Sequence, residues 1–253
     1  MNGNRVGVGA TPPPASLLQG ASLFLDFDGT LVDISPTPDA VTVSAELREL
    51  LTLLQDRLGG RVAVLTGRSA DDITARLHPV RLSVGGSHGL ERRIAGSTIE
   101  APDRPAALDA AVKSFRGLER DFPGVLVEDK PFGAAVHYRL APEAEVACHE
   151  AAEAAARETG LKLQHGKMVV ELKPSGANKG AALLAMMDMP PFAGTHPIFL
   201  GDDLTDEPAF EASQQLGGAG VLVGEERKSA ARYRLAGVAD ALAWMRGAME
   251  SLR

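Results

Sequence analysis

A single cysteine, Cys148, in 253 residues leaves no second thiol for an internal disulfide, so nothing in the chain calls for an oxidising compartment. Aromatic residues are scarce at 4%, with one Trp and two Tyr. That leaves few platforms on which single-stranded bases could stack. Base is outweighed by acid, 26 residues against 33, for a net charge of −7, and a nucleic-acid binder normally carries a basic stripe. No apolar run approaches the roughly 18 residues of a membrane span. Residues 1–20 hold one Arg, no apolar segment of signal-peptide type and the run Thr11-Pro12-Pro13-Pro14, which predicts a flexible leader rather than a secretion signal. These absences predict a cytoplasmic protein with neither nucleic acid nor membrane as a partner; a small-molecule partner and a monomer are the accompanying expectations.

What is present is an ordinary globular mixture, 45% apolar and 23% charged, able to bury a substantial core. Short apolar runs alternate with helical patterns. Leu23-Phe24-Leu25, Val62 to Leu65 and Leu82-Ser83-Val84 are strand candidates. Between them lie a helix with Leu47, Leu50, Leu51, Leu54 and Leu58 at 3–4 spacing, opened by Ser44, and a shorter one opened by Ser69. The alternation resumes near Asn178, with strands at Ile198 to Leu200 and Val221 to Val223 and helices starting near Lys179, Pro208 and Asp240. Continuously apolar strands separated by helices predict an α/β fold, a doubly wound parallel sheet covered on both faces. The middle differs: two helix patterns and four short strands with hairpin spacing predict an inserted α/β unit. The expected division is residues 21–103 and 173–253 for the core and 104–172 for the insert.

Ligands of open α/β sheets bind beyond the carboxyl ends of the strands, and the chemistry-bearing residues fall there. Asp26 and Asp28, two apart in Asp26-Phe27-Asp28-Gly29-Thr30, leave the strand on one side and repel unless a proton or a cation lies between them. Thr66-Gly67-Arg68-Ser69 closes the second strand with a hydroxyl, free amides and a helix start, the makings of a phosphate seat. Lys179 opens a helix against its dipole, a placement that needs an anionic partner. Gly201-Asp202-Asp203-Leu204-Thr205-Asp206-Glu207 crowds four acids into six residues, which suits a divalent cation such as Mg²⁺.

In this order, the motifs resemble the haloacid dehalogenase superfamily. The resemblance implies that Asp26 is the nucleophile, that Asp28 is the general acid and then the general base, and that Asp28 is held protonated at the outset. It implies that Asp26, the Asp28 carbonyl and Asp202 hold Mg²⁺. Thr66 would bind phosphoryl oxygens, and Lys179 would pair with Asp26 and the phosphate. The insert occupies the position of that superfamily's larger cap.

Further residues narrow the likeness. Gly86-Ser87-His88-Gly89, Glu128-Asp129-Lys130, His137-Tyr138-Arg139, Gly166-Lys167 with Glu171-Leu172-Lys173-Pro174, and Asn178-Lys179-Gly180 resemble the trehalose-6-phosphate phosphatases. The resemblance implies hydrolysis of trehalose 6-phosphate to trehalose and phosphate, the last step of trehalose biosynthesis. It implies substrate-binding roles for Glu128, Lys130, Arg139, Lys167 and Glu171 in the cap. Arg68 and His88 are expected to join them, although His88 could equally only support its loop. Two alternatives stay open: a phosphatase or mutase for another sugar phosphate on the same fold, and a non-catalytic sugar-phosphate sensor. The complete set of Asp26, Asp28, Lys179 and Asp202 weighs against a sensor.

Overall fold

A computed structural model describes residues 11–252. Its contacts divide the chain into one unit of residues up to Glu100 together with those from Asn178 on, and a second unit of Ala101–Ala177. In chain order the elements are β1 (Ala21–Leu25), α1 (Ala45–Arg57), β2 (Val62–Leu65), α2 (Ala70–Leu77), β3 (Ser83–Gly86), β4 (Glu91–Arg93), α3 (Leu108–Asp121), β5 (Leu126–Lys130), β6 (Gly133–His137), α4 (Glu145–Thr159), β7 (Lys162–Gly166), β8 (Val169–Lys173), α5 (Lys179–Met187), β9 (His196–Gly201), α6 (Glu207–Gln215), β10 (Ala219–Val223), β11 (Tyr233–Leu235) and α7 (Val238–Glu250).

The first unit is built on a seven-stranded sheet in the order β11-β10-β9-β1-β2-β3-β4. Every pairing is parallel except β3 with β4. Its continuously apolar strands follow from two-sided burial, because successive side chains point to opposite faces. In β1, Leu23 and Leu25 pack with Leu50, Leu51 and Leu54 of α1, Ile73 of α2 and Met245 of α7. Phe24 between them packs with Leu183 and Met186 of α5 and Phe210 of α6. Residues of β2 and β9 divide in the same way: Val62, Val64, Ile198 and Leu200 on the first face, Ala63, Leu65 and Phe199 on the second. Truncating Phe24, which is fully buried, to Ala would cost about 3–5 kcal/mol.

The second unit has four antiparallel strands in the order β5-β6-β8-β7. Ala134, Val136, Val170 and Leu172 pack with Leu108, Val112 and Phe115 of α3 and with Cys148 and Ala152 of α4. The intervening residues of β6 and β8, Ala135, His137 and Glu171, fall on the opposite face.

Strands β4 and β11 were not legible in the sequence. Each is a three-residue edge strand, and Glu91-Arg92-Arg93 has no apolar alternation to betray it. Of the expected leader, residues 1–10 lie outside the described residues. The remainder corrects the flexible reading. Ala15–Leu18 forms a single 3-10 turn with Leu18 fully buried, and the Ala15 carbonyl accepts from Ser251 Oγ at 2.9 Å. Among the described residues no helix is long and apolar enough to cross a membrane.

Candidate active site

Asp26 and Asp28 follow β1, Thr66 follows β2 and Asp202 follows β9, so the parallel register brings all three strand ends to one edge of the sheet. Gly29, at φ +84°, turns the chain there, and the Asp202 carboxylate fills the space a side chain on Gly29 would need. Lys179 enters from the first turn of α5, which Asn178 caps by accepting from Ala181 N.

The centre of the site is an ion cluster. Lys179 Nζ lies 2.7 Å from Asp26 Oδ1 and 2.7 Å from Asp206 Oδ1. All three residues are buried, Asp206 completely. Burial would lower the Lys179 pKa, but the charges of Asp206 and Asp26 outweigh it and raise it, which favours the ammonium form. Burial pushes the Asp26 carboxyl well above its ordinary value, with the neighbouring Asp206 and Asp202 adding to the shift against Lys179. Asp202 is pushed up to about 7, by burial first and then by Asp206.

Asp26, Asp202 and Asp206 each bring an oxygen within 4.8 Å of the others, the grouping a metal ion needs. They are not equivalent. Asp206 is already spent on protein donors: Oδ1 accepts from Lys179, and Oδ2 accepts from the backbone amides of Asp202 and Asp203 at 2.9 Å and 3.0 Å. In contrast, Asp202 Oδ1 is buried without a hydrogen-bond partner. An orphaned oxygen beside a second raised carboxyl is a donor set that fits a hard divalent cation. The other acids of the run do structural work. Asp203 caps the turn that leads into α6. Glu207 pairs with Arg227 and accepts from Ala230 N at 2.7 Å.

Asp28 stands just after β1 with its carboxyl group in the grip of Arg68. Arg68 donates Nε and Nη2 to its two oxygens at 2.7 Å and 2.9 Å, and Nη1 to Asp72 at 3.0 Å. Such a fork fixes the plane of the Asp28 carboxyl group, since both oxygens face donors. The same contacts commit the Arg68 guanidinium, a group expected at the substrate, to Asp28 and Asp72. Asp72 is braced in turn by Arg76 Nε, 2.8 Å and 2.9 Å from its two oxygens. Thr66 is buried, and its Oγ1 accepts from Arg68 N at 3.1 Å. The His88 ring lies against Gly67: a Cβ there would stand 2.8 Å from His88 Cε1 and Nε2.

In the second unit, Lys130 Nζ lies 3.0 Å from Glu171 and 3.6 Å from Glu128, and Glu128 meets His137 Nε2 at 3.1 Å. Burial would lower the Lys130 pKa, but Glu171 and Glu128 raise it. Burial would raise Glu128, but the His137 hydrogen bond and Lys130 hold it below its ordinary value. Arg139 and Lys167 make a different contact: Arg139 Nη2 donates to the Lys167 carbonyl at 3.2 Å, while the Lys167 side chain is exposed. Of the residues around these sites, Asp72 is the one the sequence does not single out, while His137 and Asp206 stand there only within the cap strand face and the acidic run. His137 shares a strand face with Arg139, and Asp72 and Asp206 stand four residues after Arg68 and Asp202, which are the available signals.

A family model described as trehalose-phosphatase matches residues 24–239, which contain every residue of both clusters. The chain belongs to the trehalose-phosphatase family. It is 41% identical over 226 residues to the "Trehalose-6-phosphate phosphatase" of Escherichia coli, covering 88% of this chain and 84% of that protein. It is 40% identical over 209 residues to the "Probable trehalose-phosphate phosphatase" of Sinorhizobium fredii, covering 82% and 79%. The crystal structure of a "trehalose-6-phosphate phosphatase related protein" superposes with a TM-score of 0.80 at 28% identity, covering 91% of this chain and 98% of that one.

Proposed function

We propose that this chain hydrolyses trehalose 6-phosphate to trehalose and inorganic phosphate through a phosphorylated Asp26. Membership of the trehalose-phosphatase family supports the substrate. The observation that carries the chemistry is the buried contact of Asp26 with Lys179 at 2.7 Å. An aspartate attacking a phosphate ester is anion meeting anion, and a fixed cation beside the attacking oxygen lowers that repulsion in the transition state.

In this reading Asp26 attacks phosphorus, the ester bond breaks, and the leaving sugar oxygen takes a proton from Asp28. Water then attacks the acyl phosphate, Asp28 takes its proton, and Asp26 and phosphate are released. Arg68 donates to both Asp28 oxygens, an arrangement that suits the second half. For the first half Asp28 must take up a proton, so the Arg68 fork has to loosen. Asp206 keeps Lys179 aimed at Asp26, and Thr66 is the proposed ligand of the phosphoryl oxygens. Asp26, Asp202 and the Asp28 carbonyl would hold Mg²⁺, which supplies positive charge against the phosphoryl oxygens.

For the second unit we propose a cap that recognises the unphosphorylated glucose. Glu128, Lys130, His137 and Glu171 gather acceptors and donors of alternating sign on one sheet face, an arrangement suited to sugar hydroxyls. Arg139 and Lys167 would extend it. Offering purified protein trehalose 6-phosphate, glucose 6-phosphate and sucrose 6-phosphate with Mg²⁺ tests the substrate. At least tenfold preference for trehalose 6-phosphate is expected. Faster turnover of either competitor overturns the assignment.

A further inference from the structure

Behind Thr66 and Arg68 lies a turn whose backbone is unusual for its residues. Ser87 and His88 adopt φ of +48° and +57° in succession, the left-handed region that side chains other than glycine rarely occupy. Strained backbone of this kind persists only where the surroundings over-determine it. Here they do. Ser87 N donates to the Arg68 carbonyl at 2.7 Å, and His88 N donates to the Thr66 carbonyl at 2.9 Å. The two amides thus grip both ends of the segment Thr66-Gly67-Arg68, with the His88 ring against Gly67 between them.

What holds the turn is Glu91, the first residue of β4. Its side chain is buried, and its Oε2 accepts from Ser87 Oγ at 2.7 Å and from Ala70 N at 3.0 Å. Ala70 opens α2, the helix that carries Asp72 and so the third arm of Arg68. One oxygen therefore joins the strained turn to the helix start on the far side of the segment that carries Thr66 and Arg68.

We infer that Glu91 is a positioning residue for phosphate binding: it pins the Ser87–His88 turn to α2 and so fixes where Thr66, Arg68 and His88 stand. This rests on the proposed function only in taking Thr66 as the phosphoryl ligand. Without the pin the turn relaxes toward ordinary backbone, its grip on the Thr66 and Arg68 carbonyls is lost, and the phosphate seat widens. A glutamine keeps the pin, because its single carbonyl oxygen can accept from both Ser87 and Ala70.

The test compares the full chain with E91A and E91Q at a temperature where each is folded. The readouts are kcat and KM for trehalose 6-phosphate, the inhibition constant of inorganic phosphate, and Tm. For E91A, kcat/KM should fall and the phosphate inhibition constant should rise, each at least tenfold. E91Q should stay within threefold of the parent in both. Unchanged phosphate inhibition in folded E91A means the role is only structural and overturns the inference, as does an E91Q as impaired as E91A. If E91A does not fold, S87A removes one of the two donors. A threefold or greater rise in its phosphate inhibition constant supports the pin, and parental behaviour overturns it. Direct binding of inorganic phosphate with Mg²⁺, followed by calorimetry, separates the two ideas. A parent chain that fails to hydrolyse trehalose 6-phosphate refutes the proposed function, while weaker phosphate binding by E91A still supports the pin.

Discussion

Arg68 grips Asp28 through two parallel hydrogen bonds, at 2.7 Å and 2.9 Å, and its third arm is anchored on Asp72. The guanidinium lies between a strand-end carboxylate and the helix that follows the phosphate segment, so it sets the orientation of the residue proposed to move the proton. A lysine is a point charge and cannot reproduce the fork. Arg68→Lys should therefore lower kcat about tenfold or more in steady-state assays. A kcat equal to that of the parent would mean that the orientation of Asp28 does not depend on this pair.

Asp26→Asn removes the nucleophile while leaving its shape. Phosphate release should fall by about three orders of magnitude or more, close to background. Lys179 keeps Asp206 as a partner, and a carboxyl that burial disfavours is gone, so the Tm should hold or rise. Far-UV circular dichroism and a thermal melt establish that the variant is folded. Substantial turnover in a folded variant contradicts the assignment of Asp26.

The raised carboxyls set a pH dependence for the metal-free protein. An acid whose folded pKa lies above its unfolded value binds more protons when folded, so stability falls as pH rises between the two values. For Asp202 that window runs from about 4, the ordinary carboxylate value, to about 7 in the folded chain, and Asp26 shifts in the same direction. The metal-free chain should lose Tm from pH 5 to pH 7.5, and Asp202→Asn should lose less over the same range. A cation competes with those protons, so added Mg²⁺ should raise Tm more at pH 7.5 than at pH 5. Equal slopes for parent and variant would show that Asp202 does not titrate in this way.

Lys130 lies between Glu128 and Glu171 with 13% of its side chain exposed. Removing it leaves two carboxylates facing each other, and breaking a largely buried pair costs about 3–5 kcal/mol. Lys130→Ala should destabilise the second unit by that order in urea unfolding. It should also weaken capture of trehalose 6-phosphate while leaving turnover of a small aryl phosphate nearly intact. Equal losses on both substrates would contradict a role confined to sugar recognition.

The sequence was most informative where burial is two-sided and continuous. Leu23 to Leu25, Val62 to Leu65 and Ile198 to Leu200 announce parallel strands, and their ends carry Asp26, Asp28, Thr66 and Asp202. Edge strands are written in polar residues and leave no such mark, which hid β4 and with it Glu91. Apart from Lys179 with Asp26, which the family resemblance implies, pairings between distant residues were equally invisible. Nothing local says that Arg68 closes on Asp28, 40 residues away, or that Asp206 serves Lys179 while Asp203 only caps a turn. Four neighbouring acids look alike in a sequence, and the backbone amides and the ammonium around each decide which one is left with an open oxygen.

Metal-dependent phosphate release from trehalose 6-phosphate is measured directly in one assay: phosphate produced by the purified chain with Mg²⁺, with excess chelator, and with Mg²⁺ restored. Turnover with Mg²⁺, its loss on chelation and its recovery on restoration are expected. No release in the presence of Mg²⁺, or release indifferent to the chelator, would contradict the proposed function.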